Sequence, residues 1–170
     1  SQRKSALKIL VVVTGKGPQK TFYQVQISKL KLVNVAIHTL WLEPADYPRL
    51  LACADLGVSL HTSTSGIDLP MKVLDLFGCS VPVCARNFDC LSELVQDDVN
   101  GRLFETSSEL EEQFWSLLCK LDQHESCPPH SFGDLARYSE ALKGRKRWSD
   151  NWKEHALPVL MIATASRDGA

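Results

Sequence analysis

Lys8-Ile9-Leu10-Val11-Val12-Val13-Thr14, followed at once by Gly15-Lys16-Gly17-Pro18, is a continuous β-branched apolar run that stops in a turn. A strand with one face in water alternates apolar and polar residues, whereas an unbroken run is the pattern of a parallel strand covered on both faces. Strand chemistry returns at Asn34 to Leu40, Leu56 to Leu60 and Val81 to Ala85, and Asn100-Gly101 turns into Arg102 to Phe104. Between these runs lie stretches of helical spacing: Gln19 to Lys31 with Phe22, Val25 and Leu30, Pro44 to Ala54 with Tyr47, Leu50 and Leu51, and Pro70 to Phe77 with Met71 and Leu74, stopped by Gly78. Strand and helix in alternation predict βαβ units, and so an α/β fold with a Rossmann-like parallel sheet and flanking helices. Pro82 must then sit where the ladder needs no donor.

Further along, a short helix is expected at Leu91 to Val95, and Asn100-Gly101 reads as a turn. A longer helix runs from Ser107 or Ser108 to Leu121, with Ser108 and Glu111 spaced as a capping box. A polar, Pro-rich loop at Asp122 to Phe132, helices at Gly133 to Lys143 and Trp148 to Met161, and a frayed end at Arg167 to Ala170 complete the expected order.

With 170 residues, 44% hydrophobic and 23% charged, the chain has the size and composition of one domain with a real core. Nineteen Lys and Arg against twenty Asp and Glu leave a net charge of -1, too little field to hold a nucleic acid by counterion release. The longest apolar runs, Ile9 to Val13 and Leu157 to Ala163, are far short of the roughly 20 residues of a membrane-spanning helix. The first residues do not read as a secretory signal. The six cysteines contain no Cys-x-x-Cys pair, which excludes a zinc ribbon or thioredoxin motif. Cys53, Cys79 and Cys84 lie in apolar stretches, where a thiol acts as a small hydrophobe, and this usage fits a reducing, cytosol-facing compartment. No cluster of histidines and carboxylates has recognisable metal-ligand spacing.

Open parallel sheets bind ligands beyond the carboxyl ends of their strands, so the loops after Thr14, Leu40 and Leu60 are the places to search. Gly15-Lys16-Gly17-Pro18 offers backbone N–H groups and one cation to a phosphate, or is a plain strand-to-helix turn. It is neither the phosphate loop of the nucleotide triphosphatases nor the full G-x-G-x-x-G pattern. The loop from His61 to Lys72 is richer. Gly66 permits a sharp turn, Pro70 suits a first helical position, and the N–H groups that follow make an anion site to which Lys72 adds charge. Asp68 reads either as a helix cap or as a ligand group, Asp75 as a sugar-hydroxyl acceptor or a solvated carboxylate, and His61 as a sugar contact or a structural histidine.

Trp41-Leu42-Glu43-Pro44-x-Asp46-Tyr47-Pro48, Ala54-Asp55-Leu56-Gly57-Val58 and His61-Thr62-Ser63-x-Ser65-Gly66-x-Asp68-Leu69-Pro70-Met71-Lys72-Val73-x-Asp75-x-Phe77-Gly78-Cys79 closely resemble the family of β-1,4-mannosyltransferases that add the first mannose to chitobiosyl-diphosphate-dolichol. The match continues through Pro82 to Ala85, Asn87-Phe88, Asn100-Gly101, Trp148-Ser149-Asp150-x-Trp152 and Leu157-Pro158, with Gln113 to Lys143 diverged. The resemblance implies a GT-B glycosyltransferase, with residues 1–170 forming its carboxyl-terminal, donor-binding domain and lacking the first strand of that domain. It implies GDP-mannose as donor substrate and no further cofactor. By that likeness Gly15, Lys16 and Gly17 approach the diphosphate, Leu40, Trp41 and Leu42 the guanine, and Gly66, Ile67, Asp68, Leu69, Pro70 and Met71 the mannose and phosphates. Asp75 takes the ribose, Lys72 neutralises the leaving diphosphate, and His61, Ser63 and Ser65 complete the donor-binding set.

The wider GT-B pattern carries two glutamates with seven residues between them; Asp75 matches the second, but the first falls on Ile67, so Asp68 is expected in its place. The α-linked donor gives a β-linked product, and such an inversion needs a general base for the incoming hydroxyl. That base is expected in the amino-terminal half, with the dolichol-linked acceptor site and the membrane anchor, so no catalytic residue is assigned here and the chain alone is expected to be inactive. The likeness places the protein at the cytosolic face of the endoplasmic reticulum membrane, where other dolichol-pathway glycosyltransferases are expected partners. Two other readings compete: a non-catalytic GT-B-like interaction module, and half of a nucleotide-sugar epimerase.

Overall fold

A computed structural model describes residues 7–118 and 133–165. Among the described residues, five strands and seven helices follow in chain order: β1 (Ile9–Thr14), α1 (Lys20–Lys29), β2 (Val35–Leu40), α2 (Tyr47–Ala52), β3 (Gly57–Ser59), α3 (Met71–Gly78), β4 (Val83–Arg86), β5 (Gly101–Phe104), α4 (Ser107–Leu118), α5 (Gly133–Lys143), α6 (Trp148–Asn151) and α7 (Leu157–Ala165). A short 3-10 turn, Leu91–Glu93, stands where the short helix was expected. All strand pairs are parallel as expected, but β1, whose unbroken apolar run predicted cover on both faces, buries none of its residues.

The strands form two sheets rather than one. β1 pairs with β2, Ile9 opposite Val35 through Thr14 opposite Leu40, and separately β3, β4 and β5 pair in that order. Among the described residues no strand of one sheet pairs with a strand of the other.

The core belongs to the second block. Val83 and Ala85 of β4 enter one cluster with Val73, Leu76 and Phe77 of α3, Leu91, Leu94, Val95 and Leu142. Cys84 points the other way, into Phe104, Leu117, Leu135 and Tyr138. β4 is thus covered on both faces. Pro82 sits just before it and uses only its carbonyl, which accepts from the Gly57 N–H at 2.8 Å. Gly101 begins β5 instead of making a free turn: a Cβ there would lie 2.4 Å from the Val83 carbonyl oxygen, so only glycine permits this strand spacing. The turn before it is closed by buried Asn100, which accepts from the Gln96 N–H at 2.9 Å and donates to the Leu94 carbonyl at 3.3 Å.

Asp98 takes a left-handed φ of +60°, which aspartate tolerates better than most residues. Its carboxylate receives the Tyr138 hydroxyl at 2.6 Å and the Arg137 guanidinium at 3.0 Å, fastening α5 to the turn. These donors hold the Asp98 carboxyl below its usual range. Burial first, and then Asp98, pushes the Tyr138 hydroxyl up to about 12.

Three local expectations are corrected. The α4 start uses Thr106, whose hydroxyl accepts from the Glu109 N–H, while Glu109 accepts from the Glu105 N–H at 2.8 Å. The capping hydroxyl therefore lies two residues ahead of Ser108, and Glu109 reaches back to the N–H of Glu105 and not to that of Thr106. The predicted helix from Trp148 to Met161 is interrupted by a π turn at Trp152–Ala156, next to Pro158, which brings no N–H to an α-helical ladder. Cys53 is exposed at the end of α2 rather than packed, since α2 buries none of its residues. Cys79 is half-buried, and Cys84 is fully buried with its thiol pushed up to about 12 by burial. The Pro-rich loop, Cys119, Cys127 and the carboxyl-terminal residues 167–170 lie outside the described residues.

Candidate functional site

Two loop clusters sit at the carboxyl ends of the two sheets. In the first block, the Gly15 N–H donates to the Leu40 carbonyl at 3.0 Å, setting the loops after β1 and β2 side by side. Gly15 itself has φ +144°, a conformation side chains disfavour. The Lys16 ammonium rests 4.1 Å from the centroid of the Trp41 ring, so a cation and a flat aromatic surface meet in one place. Gly17 and Trp41 are exposed, and Leu42 is half-buried.

The second cluster is the loop from His61 to α3, and its organiser is Asp68. One carboxylate oxygen accepts from the Ser63 hydroxyl and, at 3.3 Å, from Ser65; the other faces His61 Nε2 at 2.8 Å. The Ser63 hydroxyl also accepts from the Gly66 N–H at 2.6 Å, where Gly66 turns the chain with φ +79°. Hydrogen bonds from Ser63 and then His61 hold the Asp68 carboxyl below its ordinary value. The His61 ring meets Phe88 edge-on, with centroids 6.0 Å apart and planes at 69°. From below, the Cys90 thiol reaches the Asp68 carbonyl.

Asp68 therefore does not cap α3. Its carboxylate turns back into its own loop, and Pro70, expected as the first helical residue, is instead the N-cap, buried and extended with ψ 112°. No side chain caps α3. Leu69 packs against the core, whereas Ile67 and Met71 are 82% and 68% exposed and stand clear of it. Lys72 and Asp75 lie on the solvent side of α3, whose other face buries Val73, Leu76 and Phe77. Tyr47 of α2 donates its hydroxyl to Asp75 at 3.4 Å; burial, and then the carboxylate, raises the tyrosine above its usual range.

Asp75 thus has a partner that helical spacing alone did not supply, as Asp68 has His61. Tyr47, Phe88 and Cys90 are the supporting groups that reading the sequence left without roles. Tyr47 and Phe88 had only their place in the matched motifs as a signal and Cys90 had none, since nothing local pairs residues 28 and 27 positions apart. Two clefts, of about 240 and 400 Å³, lie elsewhere: one between α1 and β2, beside Gln24 and Thr39, and one beside Arg102 and Gln113. Among the described residues no helix is long and apolar enough to cross a membrane.

Residues 1–126 match the family model described as glycosyl transferases group 1. The chain is 46% identical over 154 residues to a chitobiosyldiphosphodolichol beta-mannosyltransferase of Mus musculus, covering 89% of this chain and 30% of that protein. It is 44% identical over 154 residues to the UDP-glycosyltransferase TURAN of Arabidopsis thaliana, with 89% and 32% covered. The chain thus spans about a third of the length of the curated relatives it matches. Among solved structures, Anabaena HepE in complex with UDP superposes with a TM-score of 0.55 at 24% identity, over 81% of this chain and 35% of that one. That likeness supports the GT-B type of fold.

Proposed function

The chain belongs to the group 1 glycosyl transferases, and on that premise we propose that it is a carboxyl-terminal donor-binding domain that takes GDP-mannose for transfer to chitobiosyl-diphosphate-dolichol. The observation that carries the reading is the pair of loop clusters at the carboxyl ends of β1–β2 and β3, one with a cation against an aromatic ring and one with hydroxyls, an uncapped helix start and Lys72.

Each part has a chemical use. The Trp41 ring offers a stacking surface to a purine once Lys16 moves from it to the diphosphate. The uncapped N-terminus of α3 and the Lys72 ammonium stabilise the negative charge that grows on the departing diphosphate as the sugar–oxygen bond breaks. Asp75, steadied by Tyr47, is left to accept hydroxyls of the ribose. Inversion at the sugar carbon requires a base on the side opposite the diphosphate. The reading takes that base, and the dolichol-linked acceptor, from the part of the longer relatives this chain does not span, so the chain alone binds donor without turning it over. In the cell the proposal sets this domain at the cytosolic face of the endoplasmic reticulum membrane.

Calorimetric titration of the chain with GDP, GDP-mannose, UDP and UDP-GlcNAc tests the proposal, with Lys72→Ala as comparison. Guanine-nucleotide binding weakened about tenfold in the variant, as loss of one charge-assisted contact predicts, supports it. Preference for a uridine nucleotide would move the donor assignment toward the activity named for the Arabidopsis relative. Failure of a folded chain to bind any nucleotide overturns the donor reading. It would favour a non-catalytic interaction module, for which the exposed apolar surface of β1 and α1 is the supporting observation.

A further inference from the structure

We infer that Asp68 is a positioning residue that fixes the tautomer of His61 and so commits His61 to the sugar, not the phosphates, of a bound nucleotide sugar; the inference rests on the donor reading above. An ionised carboxylate only accepts hydrogen bonds, so the His61 nitrogen that faces Asp68 at 2.8 Å, Nε2, carries the hydrogen. In the neutral ring the other nitrogen, Nδ1, is then an acceptor. An acceptor is satisfied by a hydroxyl and repelled by a phosphate oxygen, which offers only lone pairs.

The arrangement also holds the ring still. Phe88 meets it edge-on, and Phe88 is itself packed against the core. Ser63 and Ser65 occupy the second oxygen of Asp68, so the carboxylate is engaged by its own loop on both sides. It has hydroxyl and imidazole partners in place of a ligand, which is why a residue expected to touch the donor is assigned to act through His61. The division of labour is consistent across the loop: cations and helix amides for the diphosphate, His61 Nδ1 for a sugar hydroxyl.

The test compares GDP with GDP-mannose on the wild-type chain, Asp68→Asn and His61→Phe, by calorimetry at about pH 8, where free imidazole is neutral. Both variants are expected to lose about tenfold in affinity for GDP-mannose, the size of one hydrogen bond whose loss leaves a partner unsatisfied, while binding of GDP stays within about twofold. Two-bond proton–nitrogen spectra of the imidazoles supply a readout that loop collapse does not mimic. They should show the Nε2–H form at His61 in the wild type and a changed tautomer balance in Asp68→Asn. Equal loss for both ligands would make Asp68 a loop scaffold and overturn the inference. So would unchanged GDP-mannose binding, or an Nδ1–H ring in the wild type. A folded wild-type chain that binds neither ligand would instead overturn the donor reading, and this inference with it.

Discussion

β1 and β4 are both short apolar strands with parallel neighbours, yet they live in different surroundings. Val83, Cys84 and Ala85 of β4 are completely buried, whereas in β1 Leu10 is 64% and Val13 51% exposed. α1 buries none of its residues, while α3 buries Val73, Leu76 and Phe77. The difference lies less in the strands than in what covers them. β4 has a strand on each side and helices on each face, whereas β1 pairs only with β2 among the described residues. An apolar run thus specifies a strand, but burial and stability come only from neighbours.

The widest separation between the two blocks should appear in stability. Leu91→Ala removes a side chain with no exposed surface and should cost about 2–5 kcal/mol in urea unfolding. Leu10→Ala should cost about 0.5 kcal/mol or less. Similar costs at the two sites would break the comparison, because they would mean that Leu10 is covered in solution.

A smaller contrast separates two glycines. Gly101→Ala places a methyl against the Val83 carbonyl and should lower stability by about 1–3 kcal/mol. Gly17→Ala, with nothing within 4 Å of the added carbon and no positive φ, should be close to neutral by the same denaturation measurement.

Acid gives the finest cut. The Asp98 carboxyl is held below its unfolded value by Tyr138 and Arg137, so its contribution is present above the ordinary aspartate value of 3.8 and is lost as pH falls through the lower folded one. Between about pH 6 and about pH 3, the protection of α5 amides relative to their intrinsic exchange rate should fall more than that of α1, and Asp98→Asn should flatten that difference. An α5 whose exchange ignores both acid and Asp98→Asn would remove Asp98 from the list of what holds the second block together.

Much of this was legible in advance, for reasons that differ by residue. The strand from Ile9 to Thr14, the stop at Gly15 and a helix ending at Gly78 follow from periodicity and punctuation, which are local, but the face read as apolar through Met71 and Leu74 is exposed and Val73 and Leu76 are buried instead. The Thr106–Glu109 cap was missed because three neighbouring hydroxyl residues offered nearly equivalent starts. Two sheets in place of one, and the exposure of Leu10, depend on which strands pair and what covers them, which no local pattern decides. Of the candidate site, the residues at the loop tips were nominated by motif. The contact of Asp68 with His61 was not, since its turn back is decided by the fold of the whole loop around Gly66.

The central claim is that one donor molecule engages both blocks, although they share no strand pairing. Amide exchange of the chain with and without GDP-mannose measures this directly. The account predicts slowed exchange both at Gly15 to Gly17 and Trp41 and at Gly66 to Lys72. Protection confined to one of the two loop clusters, or to neither, would contradict it.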